Sequence, residues 1–352
     1  MNLHINGLYA KLKEEHLDAL LVSSSANISY LTDFPGRDAY LLISKKENFY
    51  LTDSRYIAEA KKGLRKAFTL KKINGSVFKL VAGLCQGRGL RRVGFEERNL
   101  PFAEYNKIKA EAKKKVELIP THSLVEEFRQ RKSPQELAKM KKAIQITVAA
   151  LKFIQGCLLP GKKEIEIAAE LERFIRYQGA QASAFDIIVA SGPNSCFPHH
   201  LTSERKLKAQ EPVLIDIGVD YRGYKSDLTR VFFLGKITSL FRRIYDIVLL
   251  AQHRAIKKIR PAVQIRQIDA AARQYINQKG YGGFFIHNLG HGIGLQVHED
   301  PYISGKQDGI LKPGMVFTVE PAIYLPGKFG IRIEDMVLVT HKGCEVLSGV
   351  LD

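Results

Sequence analysis

The sequence lacks any long apolar run, and no window approaches the roughly 18 consecutive apolar residues of a membrane-spanning helix. Its first residues, MNLHINGLYAKLKEEHLDALLV, also lack the basic segment followed by an apolar segment that marks secretion. Cysteine is scarce: four residues are widely scattered, with no CxxC pair and no zinc-finger spacing. These absences predict a cytoplasmic protein with free thiols and no membrane partner.

Several catalytic motifs are missing as well. HExxH is absent, which argues against single-zinc chemistry of the thermolysin type, and neither a GxSxG elbow nor a P-loop is present. Gly290, Gly292 and Gly294 resemble part of a dinucleotide-binding motif. The strand-like run LQVHE follows them where that motif requires a helix, so we expect no dinucleotide cofactor.

Acidic residues are few relative to basic ones, with 36 Asp/Glu against 54 Lys/Arg and a net charge of +18. Residues 1–134 carry +10 and the remainder +8, so the excess is spread along the chain. A basic surface can bind nucleic acid. No RNA- or DNA-binding motif accompanies it, and runs such as Lys113–Lys115 are typical of solvated helix faces. We therefore expect no nucleic-acid partner.

The order of predicted elements divides the chain into two domains and a linker. Strands alternate with helices over residues 1–122, which predicts a small α/β domain. A linker helix is predicted for residues 123–134. The long helix after it has a start signal, in which Ser133 is the cap, Pro134 occupies the first turn and Glu136 completes the capping box. Residues 135–352 follow the order helix, helix, strands, helix, helix, strands. That order indicates an internal duplication in outline.

Four carboxylates are conspicuous because apolar strands surround them. Asp216 and Asp227 lie in VLIDIGVDYRGYKSDLTRVFF, and Glu320 and Glu334 lie in VFTVEPAIYLPGKFGIRIEDMVLV. A turn at Asp220–Gly223 would place the two aspartates opposite each other, and the second hairpin is symmetric in the same way. Opposed like charges repel, and carboxylates are costly to bury among apolar residues. We therefore predict a pair of divalent metal ions between them.

Histidines can supply the nitrogen ligand of such a site. The run HNLGHGIGLQVHE places His287, His291 and His298 among glycines, which allow a ligand to approach the backbone closely. A lone histidine on a strand is usually a core residue, and a lone buried Asp usually accepts bonds from backbone amides. One imidazole together with four carboxylates is instead the set that a two-metal hydrolase requires.

Five sequence runs closely resemble the Xaa-Pro peptidases, aminopeptidase P and prolidase, whose wider family includes methionine aminopeptidase and creatinase. The runs are DIGVDYRGYKSDLTR, LGHGIGLQVHEDP, VFTVEPAIYLP, GIRIED and SGPNSCFPHHLTSERKL, and the resemblance covers essentially the whole chain. It implies an α/β creatinase-like N-terminal domain followed by an α+β pita-bread catalytic domain. It also implies a homodimer.

The resemblance implies a complete set of metal ligands. By position, the ligands are Asp216, Asp227, His291, Glu320 and Glu334. In the family the first Asp binds one metal, the second Asp and the last Glu bridge both, and the His and the remaining Glu complete the other. Hard oxygen ligands with one imidazole favour Mn²⁺, with Co²⁺, Fe²⁺ or Zn²⁺ as alternatives.

Further residues match family positions that contact the substrate. His199, which directly follows a proline, and His298 match positions that hold the substrate carbonyl and stabilise the tetrahedral intermediate, and His287 matches a histidine of the same pocket. His200 remains an alternative to His199. Arg332 is either a partner that orients the carboxylates or a direct substrate contact.

The resemblance implies hydrolysis, by a dinuclear metal centre, of the bond between an N-terminal residue and proline in proline-containing peptides. Two bridged metal ions would lower the pKa of a shared water, His298 would stabilise the oxyanion, and Glu320 would carry a proton to the proline nitrogen. The short hairpin between the two glutamates favours aminopeptidase P, with prolidase as the alternative. The intact ligand set disfavours a metal-free creatinase-like hydrolase and a pita-bread binding module.

Overall fold

The computed structural model describes residues 3–349 and divides into two compact units, of which the first ends at Arg129 and the second begins at Gln130. This division falls within residues 123–134, the predicted linker, while the exact domain limits remain a prediction. In the described part of the chain, no helix combines the length and the hydrophobicity needed to span a lipid bilayer.

The first unit is built on a mixed six-stranded sheet with the strand order β4-β3-β2-β1-β5-β6. Apolar side chains fill its central strands on both faces, which is the pattern of a strand covered on two sides. The elements are α1 (Leu3–Glu14), β1 (Ala19–Val22), α2 (Ser25–Thr32), β2 (Ala39–Ser44), β3 (Asn48–Thr52), α3 (Ile57–Gly63), β4 (Thr69–Lys72), α4 (Val77–Gly87), β5 (Arg92–Glu96), α5 (Phe102–Ala112), β6 (Glu117–Thr121) and α6 (Glu126–Arg129). The α/β prediction for this part of the chain is confirmed.

The second unit has the predicted order of two helices, strands, two helices and strands. Its elements are α7 (Pro134–Gln155), α8 (Glu164–Tyr177), β7 (Ala182–Ser183), β8 (Ile188–Ser191), β9 (Glu211–Ile217), β10 (Val219–Tyr221), β11 (Tyr224–Lys225), β12 (Leu228–Leu234), α9 (Ser239–Lys258), α10 (Ile265–Gln278), β13 (Gly290–Gly292), β14 (Glu299–Ile303), β15 (Val316–Val319), β16 (Ala322–Leu325), β17 (Phe329–Arg332), β18 (Asp335–Val339) and β19 (Cys344–Val346). Helix α7 begins with the predicted capping box, in which Ser133 and Glu136 each accept a bond from the other's backbone.

Each helix pair of the second unit covers one set of strands. Apolar residues of α7 and α8 form one core with β8, β9, β10 and β12, and apolar residues of α9 and α10 form another with β15 to β18. The two cores repeat the same helix-on-sheet packing. This arrangement is the predicted α+β duplication.

The first acidic hairpin differs from its prediction. Thr229, and not Asp227, is the partner of Asp216 in the β9–β12 ladder, so the two aspartates are not directly opposed. The turn is centred between Arg222 and Gly223, which both have positive φ angles of 52° and 84°. That is the signature of a two-residue type I′ hairpin. Moving the turn by one residue shifts the pairing by two, and the predicted register was wrong by that amount.

The second acidic hairpin has the predicted symmetry about Gly327. In the β15–β18 ladder Val319 pairs with Asp335, and in the β16–β17 ladder Ala322 pairs with Arg332. Both pairs are equidistant from Gly327, as are Glu320 and Glu334. The two glutamates therefore occupy the gap where one ladder ends and the next begins.

Candidate active site

A cavity of about 480 Å³ in the second unit brings together the residues that the sequence singles out. Strands and connecting loops from both halves of the duplicated fold supply them, so residues more than one hundred positions apart become neighbours. The predicted residues that line it are His199, Asp216, Asp227, His287, His291, His298, Glu320, Arg332 and Glu334, together with His200.

Three of these side chains form a compact cluster of potential metal ligands. One ligand atom from each of Asp227, His291 and Glu334 lies within 4.8 Å of the other two, and all three residues are buried. His291 Nε2 is 3.4 Å from Glu320 Oε1 and 3.7 Å from Asp227 Oδ2. One nitrogen and two carboxylates therefore converge on one point, and Glu320 lies beside the His291 ring.

The hydrogen bonding of His291 prepares its Nε2 to bind a cation. Its Nδ1 is 3.2 Å from the carbonyl oxygen of Gly292, which can only accept a hydrogen bond, so Nδ1 carries the proton. Burial, reinforced by nearby His298, lowers the pKa of His291 to about 4, and the ring is neutral at neutral pH. The Nε2 lone pair then faces carboxylate oxygens, an arrangement that is repulsive until a cation lies between them.

Burial governs the electrostatics of the carboxylates. It is the largest cause of the raised pKa of Glu320, which reaches about 8, and it raises the pKa of Asp227 and Glu334 well above the usual range. The neighbouring carboxylates add to the shift in each case. Such a cluster must take up either protons or metal cations at neutral pH.

Asp216 joins the site through Arg332. The guanidinium Nη2 donates to Asp216 Oδ2 at 2.6 Å. The other oxygen, Oδ1, is buried, and the described residues offer it no hydrogen-bond partner. A buried carboxylate oxygen without a donor is costly, whereas it suits a metal ligand. The donor set and this unsatisfied oxygen therefore fit a divalent metal centre.

Two threonines that sequence reasoning missed orient the carboxylates. Thr229 donates to Glu334 Oε2 at 2.7 Å, and Thr318 donates to Glu320 Oε1 at 3.1 Å. Such bonds fix the orientation of carboxylates that are candidate ligands. Thr229 is visible in the run SDLTR, but its role depends on a contact with a residue 105 positions away.

Arg332, Tyr324 and His287 form a hydrogen-bonded chain along one wall. Arg332 Nη1 donates to the Tyr324 hydroxyl at 2.7 Å, and that hydroxyl lies 3.1 Å from His287 Nε2. Because His287 Nδ1 donates to the Asn288 carbonyl at 2.7 Å, its Nε2 accepts from Tyr324. Burial lowers the pKa of His287 to about 4, so the ring stays neutral. The chain orients the arginine that bonds Asp216.

His298 lies next to the ligand cluster, with its ring centroid 4.2 Å from that of His291. The run LQVHE that carries it was predicted as strand-like, which is wrong: residues 293–298 are irregular, and β14 begins only at Glu299. A buried ion pair anchors this segment, with Lys132 Nζ 2.9 Å from Glu299 Oε1. The lysine that holds the start of β14 is 167 positions away in the chain, so a local pattern in the sequence does not reveal this contact.

The two adjacent histidines of the PHH run differ in their contacts. His200 Nε2 lies 2.9 Å from Glu164 Oε2, and its side chain is largely buried. Both residues line the cavity, but His199 is the exposed one. Of the two, His199 is therefore the one free to meet a substrate.

Gln252 of α9 is a further residue that sequence reasoning missed. Its Nε2 lies 3.1 Å from the Val319 carbonyl, 3.2 Å from the Ile333 carbonyl and 3.0 Å from Asp335 Oδ2. Val319 and Ile333 directly precede Glu320 and Glu334. The buried amide thus bridges the gap between the two ladders where both glutamates turn into the cavity.

Gln252→Met, which keeps the side-chain length, is expected to lower the free energy of unfolding by about 2–3 kcal/mol, because buried acceptors lose their donor. It should also weaken metal binding by about 10–100-fold through loss of glutamate orientation. Urea unfolding and metal titration measure these effects. Gln278→Met on the exposed surface of α10 is the control. Equal unfolding free energies and equal metal affinities of the two variants would contradict the bridging role of Gln252.

Known proteins are similar to this chain in both of its parts. Residues 138–341 match the model of metallopeptidase family M24, and residues 4–131 match the creatinase/prolidase N-terminal domain. An uncharacterized peptidase of Bacillus subtilis is 37% identical over 335 residues, which cover 94% of each chain.

Solved structures are similar over almost the full length. The Xaa-Pro dipeptidase from Bacillus anthracis has a TM-score of 0.95 and 40% identity, covering 98% of this chain and 97% of that one. The X-Pro aminopeptidase from Thermotoga maritima has a TM-score of 0.88 and 36% identity, covering 97% and 98%. The similarity includes both the N-terminal and the catalytic parts.

Proposed function

Because the chain belongs to metallopeptidase family M24, we propose that this metal-dependent peptidase hydrolyses the bond between an N-terminal residue and a following proline. The observation that carries the proposal is the convergence of Asp227, His291 and Glu334 within 4.8 Å in a cavity that Asp216 and Glu320 also line. The relatives named as Xaa-Pro dipeptidase and X-Pro aminopeptidase support the substrate class.

We assign five residues to a pair of divalent ions: Asp216, Asp227, His291, Glu320 and Glu334. When bound, the ions supply Lewis acidity and an activated water. The unprotonated Nε2 of His291 and the unsatisfied Oδ1 of Asp216 support this assignment. Hard oxygen donors with one imidazole favour Mn²⁺ over Co²⁺, Fe²⁺ or Zn²⁺ as the resident ion.

The remaining polar groups act on the substrate. His298 and His199 hold the carbonyl oxygen of the residue before proline and stabilise negative charge there as the nucleophile adds. Glu320 accepts the proton that the attacking water loses and delivers it to the proline nitrogen, which has no hydrogen of its own and leaves as a secondary amine. His287, neutral and fixed by Tyr324, lines the same pocket.

Arg332 acts mainly by orientation in this proposal. Its guanidinium is buried and already contacts Asp216, Thr229 and Tyr324, along with the Pro198 carbonyl. Few donor positions remain for a substrate, because a guanidinium has five N–H groups. We therefore favour the interpretation of Arg332 as the partner of the carboxylates.

Aminopeptidase P activity is the subtype that we favour. The two glutamates are joined only by the short β16–β17 hairpin, without an insertion that would close the site beyond proline. Prolidase is the second candidate, favoured by the TM-score of 0.95 with the Xaa-Pro dipeptidase from Bacillus anthracis. Both activities use the same residues for the same bond.

A matched substrate pair distinguishes the subtypes. We expect kcat/KM for an Xaa-Pro-Yaa tripeptide to exceed that for the Xaa-Pro dipeptide by about tenfold or more, because an open pocket gains binding energy from the third residue. Steady-state kinetics with the Mn²⁺-loaded protein measures this ratio. Preference for the dipeptide would identify a prolidase, and an Xaa-Ala-Yaa peptide is the control for proline specificity.

The assembly and location of the protein are also proposals. We propose a homodimer, which rests on the family resemblance, and a cytoplasmic location, which rests on the cysteines. All four cysteines are free. Sedimentation of the purified protein and fractionation of cells test these two statements.

A further inference from the structure

We propose that Glu164 is a positioning residue that holds His199 at the cavity, an inference that rests on the proposed function. Glu164 opens helix α8 and is completely buried, yet it belongs neither to the ligand cluster nor to the cavity lining. A fully buried carboxylate outside the reacting site needs a structural reason, because burial of a charge is costly unless donors surround it.

Glu164 binds both ends of one segment. Ser191 donates to Oε1 through its backbone N–H and its hydroxyl, each at 2.7 Å. Ser203 donates to Oε2 through its backbone N–H at 3.2 Å and its hydroxyl at 2.6 Å. Residues 192–202 lie between these two serines, and we call them the His199 segment.

The same carboxylate also binds the interior of the His199 segment. Asn194 Nδ2 donates to Oε1 at 3.0 Å, and His200 Nε2 lies 2.9 Å from Oε2. His200 is the immediate neighbour of His199, so fixing one ring restricts the backbone that carries the other. A single side chain thus gathers donors from four residues of the chain between 191 and 203.

Strand β17 holds the opposite side of the His199 segment. The Gly330 N–H donates to the Ser195 hydroxyl at 2.8 Å. A Cβ added at Gly330 would lie only 2.0 Å from the Ser195 carbonyl oxygen, so the backbone of β17 packs directly against the backbone of the His199 segment. Because β17 also ends with Arg332, the segment is held between the helix that bears Glu164 and the strand that leads to Glu334.

The charge of Glu164 is suited to this role. Burial alone would raise its pKa, but the bonds from Ser203, His200 and Ser191 outweigh that effect and hold the pKa below its usual value. An ionised carboxylate accepts every one of these bonds, whereas an amide would present a donor to some of them. Glu164→Gln therefore removes the anchor with little change in volume.

Hydrogen exchange and kinetics test the proposal together. In Glu164→Gln we expect amide exchange of the His199 segment to accelerate at least about tenfold. We also expect kcat/KM to fall about 10–100-fold, the range for loss of a supporting partner, and kcat to fall with it because His199 acts in the transition state. Bound metal should equal that of the wild type.

A double-mutant cycle separates positioning from general damage. If Glu164 acts through His199, adding Glu164→Gln to His199→Ala should lower kcat/KM by less than about twofold further. Glu166→Gln, an exposed change in the same helical turn, is the matched control and should alter neither readout. The proposal would be overturned if the two substitutions lowered kcat/KM by independent factors that multiply in the double mutant. It would also be overturned if Glu164→Gln left the amide exchange rates of the His199 segment unchanged.

A second variant and a readout that does not depend on activity complete the experiment. Should Glu164→Gln fail to fold, Ser203→Ala removes one hydroxyl donor and should change both readouts in the same direction by a smaller factor. If the wild-type protein cleaves no Xaa-Pro peptide, the proposed function fails, and the exchange rates of the segment still decide whether Glu164 anchors it.

Discussion

Treatment with a chelator is expected to lower Xaa-Pro hydrolysis by at least about a thousandfold, and Mn²⁺ or Co²⁺ to restore it. The physical reason is the cluster of Asp227, Glu320 and Glu334, whose burial and mutual repulsion favour the binding of metal cations in place of protons. Metal analysis of the purified protein and peptide hydrolysis before and after chelation provide the measurement. Full activity in protein shown to be metal-free would contradict the dinuclear assignment.

Asp227→Asn provides the sharpest control for that experiment. An amide is a far weaker ligand than a carboxylate for two cations, so activity should stay low at any added Mn²⁺ concentration. Glu97→Gln, an exposed acid of the first unit, should behave as the wild type does. Undiminished hydrolysis in Asp227→Asn would remove Asp227 from the bridging role.

The metal-free protein should also depend on pH in a defined direction. The pKa of Glu320 is raised from 4.5 to about 8 by burial and by Asp216. Between these two pH values the folded state retains a proton that the unfolded chain has released. Its contribution to stability is therefore fully present below about pH 4.5 and is lost as pH rises through about 8. Thermal unfolding of chelated protein across this range measures the loss, and bound metal should remove it.

Arg332→Met is expected to lower both stability and activity strongly. The buried guanidinium bonds Asp216, Thr229 and Tyr324, and its removal leaves a buried carboxylate without its partner. Breaking such a pair typically costs about 3–5 kcal/mol. The metal-free protein should lose this amount, while the loaded protein should lose less because the cations also neutralise Asp216. Activity should fall about 10–100-fold through misoriented ligands.

Unfolding of both forms by urea measures the effect of Arg332→Met. Arg173→Met, which breaks an exposed pair with Glu170, is the control and should change stability by less than about 1 kcal/mol. If the metal-free and the metal-loaded protein lost the same free energy of unfolding, the metal ions would not be compensating the charge of Asp216 when Arg332 is absent. Unchanged metal affinity combined with a raised KM would instead favour a direct substrate contact.

The predicted fold was most accurate where a local pattern carried the information. The capping box at Ser133 was predicted because its two partners are three residues apart. Helix α4 has a weaker local signal, because Gly83 and Gly87 lower its intrinsic helix propensity. The register of the first hairpin was misplaced because Arg222, and not a residue typical of such turns, adopts one of its two positive φ angles.

The sequence by itself determined the chemistry of this protein: which carboxylates and histidines are candidate ligands, that two of the acids are symmetric about Gly327, and which family the motifs resemble. These signals are local, since each lies within a short run of residues. Only the tertiary structure decided which groups support them. Gln252, Glu164 and Thr229 act through contacts across 27 to 105 positions of the chain, and no spacing within a run records a contact that folding creates between distant elements.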